Sequence, residues 1–373
     1  MSLRQMFPGS IVKPGFNPLA AQSLQYNLFT WGNGGYSQLG LGNDLTYSSP
    51  KQVGSLTNWS KLSAGVQHTA TIKSDGTLWT WGWNQLGQLG LNNTTYYSSP
   101  KQVGSLTTWL SISCGGYHNL AIKTDGTLWS WGKNNSGQLG ISSLTNQSSP
   151  TQIGALTTWS KISGSINFSL AIKTDGTLWG WGSNSYGKLG IGNVTQYSSP
   201  KQVGALTNWS NVFGCGLSTI ATKTDGTLWA WGFNAYGSLG LNNRTNYSSP
   251  KQVGALTNWL AITGNYASGI ATKTDGTLWA WGINQYGGLG FGNQTNYSSP
   301  KQVGALTNWL NIAGGSYSVL ATKTDGTLWS WGKNVQGQLG LNNLTLYSSP
   351  KQVGSSTTWS TIASGFECSL ALG

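Results

Sequence analysis

The chain has 373 residues, of which only 8% are charged, and its 54 Gly and 21 Trp sit among many Asn, Ser, Thr and Gln. Such aromatic content excludes a disordered chain, and solubility must come from neutral polar groups. The formal charge of +12, from 20 Lys and Arg against 8 acids, is spread along the chain without a basic run, so a solvated surface accounts for it better than a nucleic-acid site does.

Residues 1–24 stand outside every repeat. Pro8, Pro14 and Pro18 forbid a long helix there and favour an extended course. Met6, Phe7, Ile11, Val12 and Phe16 are out of place in a free linker. An extended segment with spaced apolar groups suits a groove on a partner, on another copy, or on its own chain, so it is read as an anchoring arm. It lacks the charged start and apolar core of a secretory signal, and no apolar run in the chain reaches membrane-spanning length. The expectation is cytoplasmic synthesis without membrane insertion.

Residues 25–373 repeat themselves every fifty residues. The phrase KTDGTLWSWG at Lys123–Gly132 returns at Lys323–Gly332, with near-copies between. Seven WG…LG…SSP halves begin at Trp31, Trp81, Trp131, Trp181, Trp231, Trp281 and Trp331, and seven QVG or QIG halves run from Gln52 to Gln352. Within a unit the pattern predicts four strands: Trp59 to Ser63, His68 to Lys73, Thr77 to Gly82, and Lys51 to Gly54. Asp75-Gly76 predicts a two-residue type I′ hairpin turn, which makes the repeated Asp a turn residue rather than a catalytic carboxylate.

The LWxW strand places Trp79 and Trp81 on one side and Leu78 and Thr80 on the other. One four-stranded sheet cannot bury both faces, but identical sheets stacked around an axis can, which is the logic of a propeller. The chain enters the repeat at LFTWG, Leu28 to Gly32, and stops at CSLALG, Cys368 to Gly373. Each end is part of a blade. Pairing them predicts an all-β, seven-bladed β-propeller of four-stranded blades, closed by the N-terminal strand joining the C-terminal strands, plus the arm.

G-x-x-H at Gly65 to His68, the DGTLWxWG strand, and N-x-x-G-Q-L-G at Asn84 to Gly90 resemble the RCC1 repeat. That resemblance implies seven-bladed propellers. It also implies a range of roles, among them a chromatin-docking nucleotide-exchange factor for a small GTPase and a β-lactamase-inhibiting protein. No exchange-loop insertion breaks these near-identical copies, so exchange activity is not carried over.

Catalytic parts are missing from the pattern. His68 and His118 share a repeat phase with Phe168, Ser218, Ser268, Ser318 and Cys368, which points to packing rather than a base. Cys114, Cys215 and Cys368 lack metal-ligand spacing, and no acid pair, Ser-His-Asp set or HExxH stands outside the repeat. The expectation is no enzyme, no metal and no cofactor.

The copies diverge in two connections: the kink after the Trp59-type strand and the loop after WG. Because strand direction alternates, both belong to one propeller face. Trp83, Phe233, Tyr186, Tyr236, Tyr286, Lys133 and Lys333 are therefore the candidate partner-binding residues, and aromatic side chains are frequent binding hot spots. Drift in loops explains the same divergence. Lys51, Lys101, Lys201, Lys251, Lys301 and Lys351, each four residues after a Tyr, start a strand at that face in this reading, and as a basic aromatic ring they would suit phosphate or acidic sugar. Solvated lysines beside packed tyrosines are the plainer alternative.

An apolar arm before a polar, Gly- and Asn-rich array resembles structural proteins of tailed bacteriophages. The expected function is thus a non-enzymatic binding or structural module on a virion, anchored to other virion proteins and presenting its variable face to a host glycan or protein. The alternative is a soluble protein-binding regulator or inhibitor in the cytoplasm, and a weaker one is a chromatin- or GTPase-directed exchange factor.

Overall fold

The computed structural model describes residues 26–373. The arm positions Met6, Phe7, Ile11, Val12 and Phe16 lie outside the described residues. Strands β1 (Leu28–Gly32), β2 (Tyr47–Gln52), β3 (Trp59–Ala64), β4 (His68–Lys73), β5 (Leu78–Gly82) and β6 (Tyr97–Gln102) open a pattern that yields seven four-stranded antiparallel sheets. One blade is β3-β4-β5-β6. Its β4–β5 register runs from His68↔Gly82 to Ile72↔Leu78. The Trp59-type strands touch one another around the ring and so lie innermost, and the YSSPKQ strands form the outer edge.

The ring closes as the chain ends require. β1 pairs with Cys368–Leu372, Leu28 opposite Leu372 and Gly32 opposite Cys368, between β2 and Ile362–Ser364. Two details differ from expectation. The outer strand is Tyr47–Gln52 rather than Lys51–Gly54, and it belongs to the closing blade, because Gln52 pairs with Phe29 while β5 takes β6. A fifty-residue period leaves the blade boundary free, and only hydrogen bonding fixes it.

The hairpin turn is also not type I′. Gly76 has φ +77 while Asp75 does not enter the positive-φ region, and Gly76 N donates to Lys73 O at 3.0 Å. This is a three-residue connection: a type I turn followed by a left-handed glycine. Asp75 Oδ1 accepts Thr77 N at 2.9 Å and Thr77 Oγ1 at 2.6 Å, which fixes the turn. A Cβ on Gly76 would also strike the carbonyl of Thr107, in the next strand connection.

Both faces of each blade are buried, as the alternation demands. Trp81 packs with Leu28, Leu370 and Leu372 of the closing blade, while Leu78 packs with Trp109 and Trp131 of the following one. The Trp81 indole donates to Gln38 O at 2.9 Å, and Trp31 donates to Gln338 O at 3.0 Å across the closure. The invariant Trp thus satisfies its polar atom on the neighbouring blade while its rings fill the junction, where full burial of one large side chain contributes about 1.5–3 kcal/mol.

Candidate functional site

Antiparallel order places the β3–β4 and β5–β6 connections on one face and the β4–β5 turns on the other. Pairing of His68 with Gly82 sets the kink beside the following loop, and Trp83 N donates to Gln67 O at 2.8 Å. The side chains equivalent to Trp83 stand next to the kink of their own blade, and Trp83, Lys133, Phe233 and Lys333 reach a neighbouring blade.

Three aromatic groups result. Tyr186 and Phe233 have centroids 4.9 Å apart, Phe233 and Tyr236 are 5.9 Å apart, and Tyr317 lies 4.9 Å from Tyr286 and 6.0 Å from Tyr266. On the other arc Trp83 meets Tyr117 at 5.3 Å. Tyr186 and Tyr236 are exposed, but Trp83 and Phe233, expected to be exposed, are half-buried because each packs edge-on or tilted against a ring from an adjacent blade.

The two lysines of the candidate set are engaged. Lys133 Nζ donates to Asn167 Oδ1 at 3.3 Å and lies 5.7 Å from the Tyr117 ring. Lys333 pairs with Glu367 at 3.1 Å and lies 5.9 Å from Tyr286, while Asn33 Nδ2 donates to the other oxygen of Glu367 at 3.0 Å. The kinks surround the mouth of a central hollow of about 120 Å³, walled by glycines together with side chains that include Val66, Ile166, Tyr266 and Phe366. The face is aromatic and nearly neutral.

Lys51, Lys101, Lys201, Lys251, Lys301 and Lys351 do not form a ring at this face. Tyr47 begins its strand opposite Gly32, and Lys51 pairs with Thr30, farther from the loops. Four residues of β2 span two of β1, and this bulge folds Lys51 back to 5.5 Å from its own Tyr47 ring. The result is separate Tyr–Lys pairs on the outer edge.

The titratable groups within the blades are committed to the fold. Burial lowers the pKa of His68 to about 4, although the Nε2 contact with Asn119 Oδ1 at 3.0 Å opposes the shift. Burial, assisted by the charges of His68 and Lys133, lowers that of His118 to about 3. The thiols of Cys114, Cys215 and Cys368 are buried and pushed up to about 12. Among the described residues no three His, Cys, Asp or Glu side chains gather as a metal site would require.

Two features escaped the sequence reading. Lys188 is 3% exposed, has its Nζ 5.1 Å from the Phe168 ring, and is lowered to about 8 by burial. It occupies the phase of Gln38, Gln88, Gln138 and Gln338, whose Oε1 atoms accept a loop N–H, and its own loop is distorted, with Tyr186 at φ +63. The rim position of NxT is the second: it reads Asp44, Thr94, Leu144, Val194, Arg244, Gln294 and Leu344, with Leu144, Val194 and Leu344 all more than half exposed. That variation was visible in the sequence.

The RCC1-like domain model matches residues 12–264, and the model of the regulator of chromosome condensation (RCC1) repeat matches residues 275–322 and 325–372. No curated protein sequence matches the chain. In fold it is similar to Prp20p from Saccharomyces cerevisiae, studied for binding to Gsp1p and histones, at TM-score 0.84 and 18% identity over 94% of this chain and 92% of that one. Human WBSCR16 is similar at TM-score 0.84 and 22% identity, covering 93% and 98%. Among the described residues no helix is long and apolar enough to cross a membrane.

Proposed function

The chain belongs to the RCC1-like domain family, and from that premise we propose that it is a non-enzymatic protein-binding module whose recognition surface is the loop face. RCC1-like propellers are binding or exchange-factor proteins, which supports a protein partner in general. One observation carries the choice of face. The copies share their strands and junction tryptophans, six share the Asp-Gly turn, and they diverge in the loops that carry Tyr186, Phe233, Tyr236, Tyr286, Trp83, Lys133 and Lys333, beside the kinks that line the central mouth. Exposed tyrosines on a rigid frame give contact area at low entropic cost.

The test is the triple variant Tyr186→Ala, Phe233→Ala, Tyr236→Ala. The expected result is loss of partner binding by about 30-fold or more, roughly 2 kcal/mol, with the melting temperature within a few degrees of the parent. Unchanged binding would move the interface elsewhere.

The finer reading, a virion component anchored by residues 1–24, rests on the sequence of the arm alone. Deleting residues 1–24 should leave the propeller folded and abolish incorporation into a particle. Normal incorporation of the truncated chain contradicts it.

A further inference from the structure

The opposite side of the propeller carries a second kind of surface. At the junctions beside Leu106, Leu156, Leu256 and Ser356 a groove opens at the turn-bearing end and runs out along the outer strand of the next blade. One has Gln102 and Leu106 on the first blade, and Trp109, Lys123, Trp129 and Pro150 on the second, around a cavity of about 430 Å³. Equivalent cavities of about 520 and 350 Å³ lie beside Leu156 and Leu256.

Three properties of this groove bear on what it binds. The leucine equivalent to Leu106 is 46–51% exposed in all six copies that have it, an apolar residue repeated where burial does not require it. Lys123 Nζ lies 3.5 Å from the centroid of Trp129 and has no carboxylate bonded to it. The nearby acid, Asp125, spends its Oδ1 on Thr127 N and Oγ1. The Trp109 indole nitrogen finds no acceptor in the protein, whereas Trp129 and Trp131 both do.

We propose that these grooves are a multivalent site for an acidic polysaccharide. The uronic-acid ring offers a C–H face to indole and leucine and a carboxylate to the ammonium. Lys101, next to the groove's Gln102, is held 5.3 Å from its own Tyr97 ring, and Thr151 takes its place beside the Leu156 groove, so Lys123 is the groove's own cation. Sites repeated around a ring match a ligand that repeats along a chain, and each can be weak while the sum is strong. The seventh junction is a built-in control: Ser356 stands in place of the leucine, Phe29 in place of the Trp129 equivalent, and Gly373 in place of the lysine.

Affinity electrophoresis and calorimetry of the full chain with polygalacturonate at physiological salt test the proposal. Polygalacturonate should retard the chain strongly and dextran should not, with trigalacturonate binding at near six equivalents and at least 100-fold more weakly than the polymer. Leu106→Ser, Leu156→Ser and Leu256→Ser together copy the tolerated Ser356 and should cut polymer affinity tenfold or more without lowering the melting temperature. Equal retardation by dextran, tighter binding of poly(dT), or no trigalacturonate binding by the unaltered chain overturns the proposal. The last measurement stands even if the triple variant fails to fold.

Discussion

The two faces of this propeller are built from the same fifty-residue unit and answer to different constraints. On the turn face, Gly126 must hold φ +78 and leave room for the carbonyl of Thr157 in the next strand connection, so its identity is set by backbone geometry. On the loop face, what the copies share at the position of Trp83 is a backbone N–H bond, and Lys133, Ser183, Phe233, Ile283 and Lys333 stand there in turn. Constancy marks where the backbone leaves no choice. Divergence marks where side chains are free to meet something else.

The sharpest way to break that contrast is to disturb a junction. Trp131→Ala removes a fully buried indole and its bond to Gln88 O, and should cost about 3–5 kcal/mol in chemical denaturation. A cost below 1 kcal/mol would mean that the junctions are not what holds the ring. Gly126→Ala and Tyr236→Ala form a matched pair. The first should lower stability by about 1–3 kcal/mol with binding intact, and the second should do the reverse. A glycine change that weakened binding as much as the tyrosine change would erase the distinction between faces.

Acid sharpens the same point from inside the blades. His68 and His118 are held neutral in the folded chain, near pKa 4 and 3, while the unfolded chain takes up protons below about 6.5. The unfolded state therefore binds more protons as pH falls from 6.5 toward 4, and stability falls with it. Each histidine should account for roughly 2 kcal/mol between pH 7 and pH 5. His118→Phe, the side chain already present at Phe168, should remove its share, and an unchanged pH slope would contradict the buried neutral state.

The smallest expected effect has the opposite sign. Lys188 carries a folded pKa near 8 against an ordinary 10.5, so its ammonium opposes folding below pH 8, and that penalty disappears as pH rises through 10.5. Lys188→Gln restores the acceptor that four sister repeats use and should raise stability at pH 7 by about 1–2 kcal/mol. Denaturation at pH 7 and pH 10.5 measures both halves, and a loss of stability at pH 7 would show that the lysine is structurally required.

Most of the fold was legible because periodicity, the tryptophan alternation and the split terminal blade all point to a closed ring. What failed to read has local causes. Asp-Gly signals a turn but not its length, which is set by the pairing of Lys73 with Thr77. The Lys51 series was misplaced because a bulge in β2 cannot be seen in SSPKQ. The site was legible as a face, since strand alternation alone sorts the connections. The burial of Trp83 and Phe233 was not, because it depends on rings in the next blade. Lys188 hid among three departures, with Ser238 and Gly288, from the Gln of that phase.

The central claim, that recognition lives on the loop face, is tested most directly by lysine-directed cross-linking of the full chain to its captured partner, read by mass spectrometry. Lysines mark both regions: Lys133 and Lys333 lie among the loops, while Lys51, Lys101, Lys201 and Lys251 are exposed on the outer edge. Cross-links concentrated at Lys133 and Lys333 are the predicted result. Cross-links confined to the outer-edge lysines would contradict it.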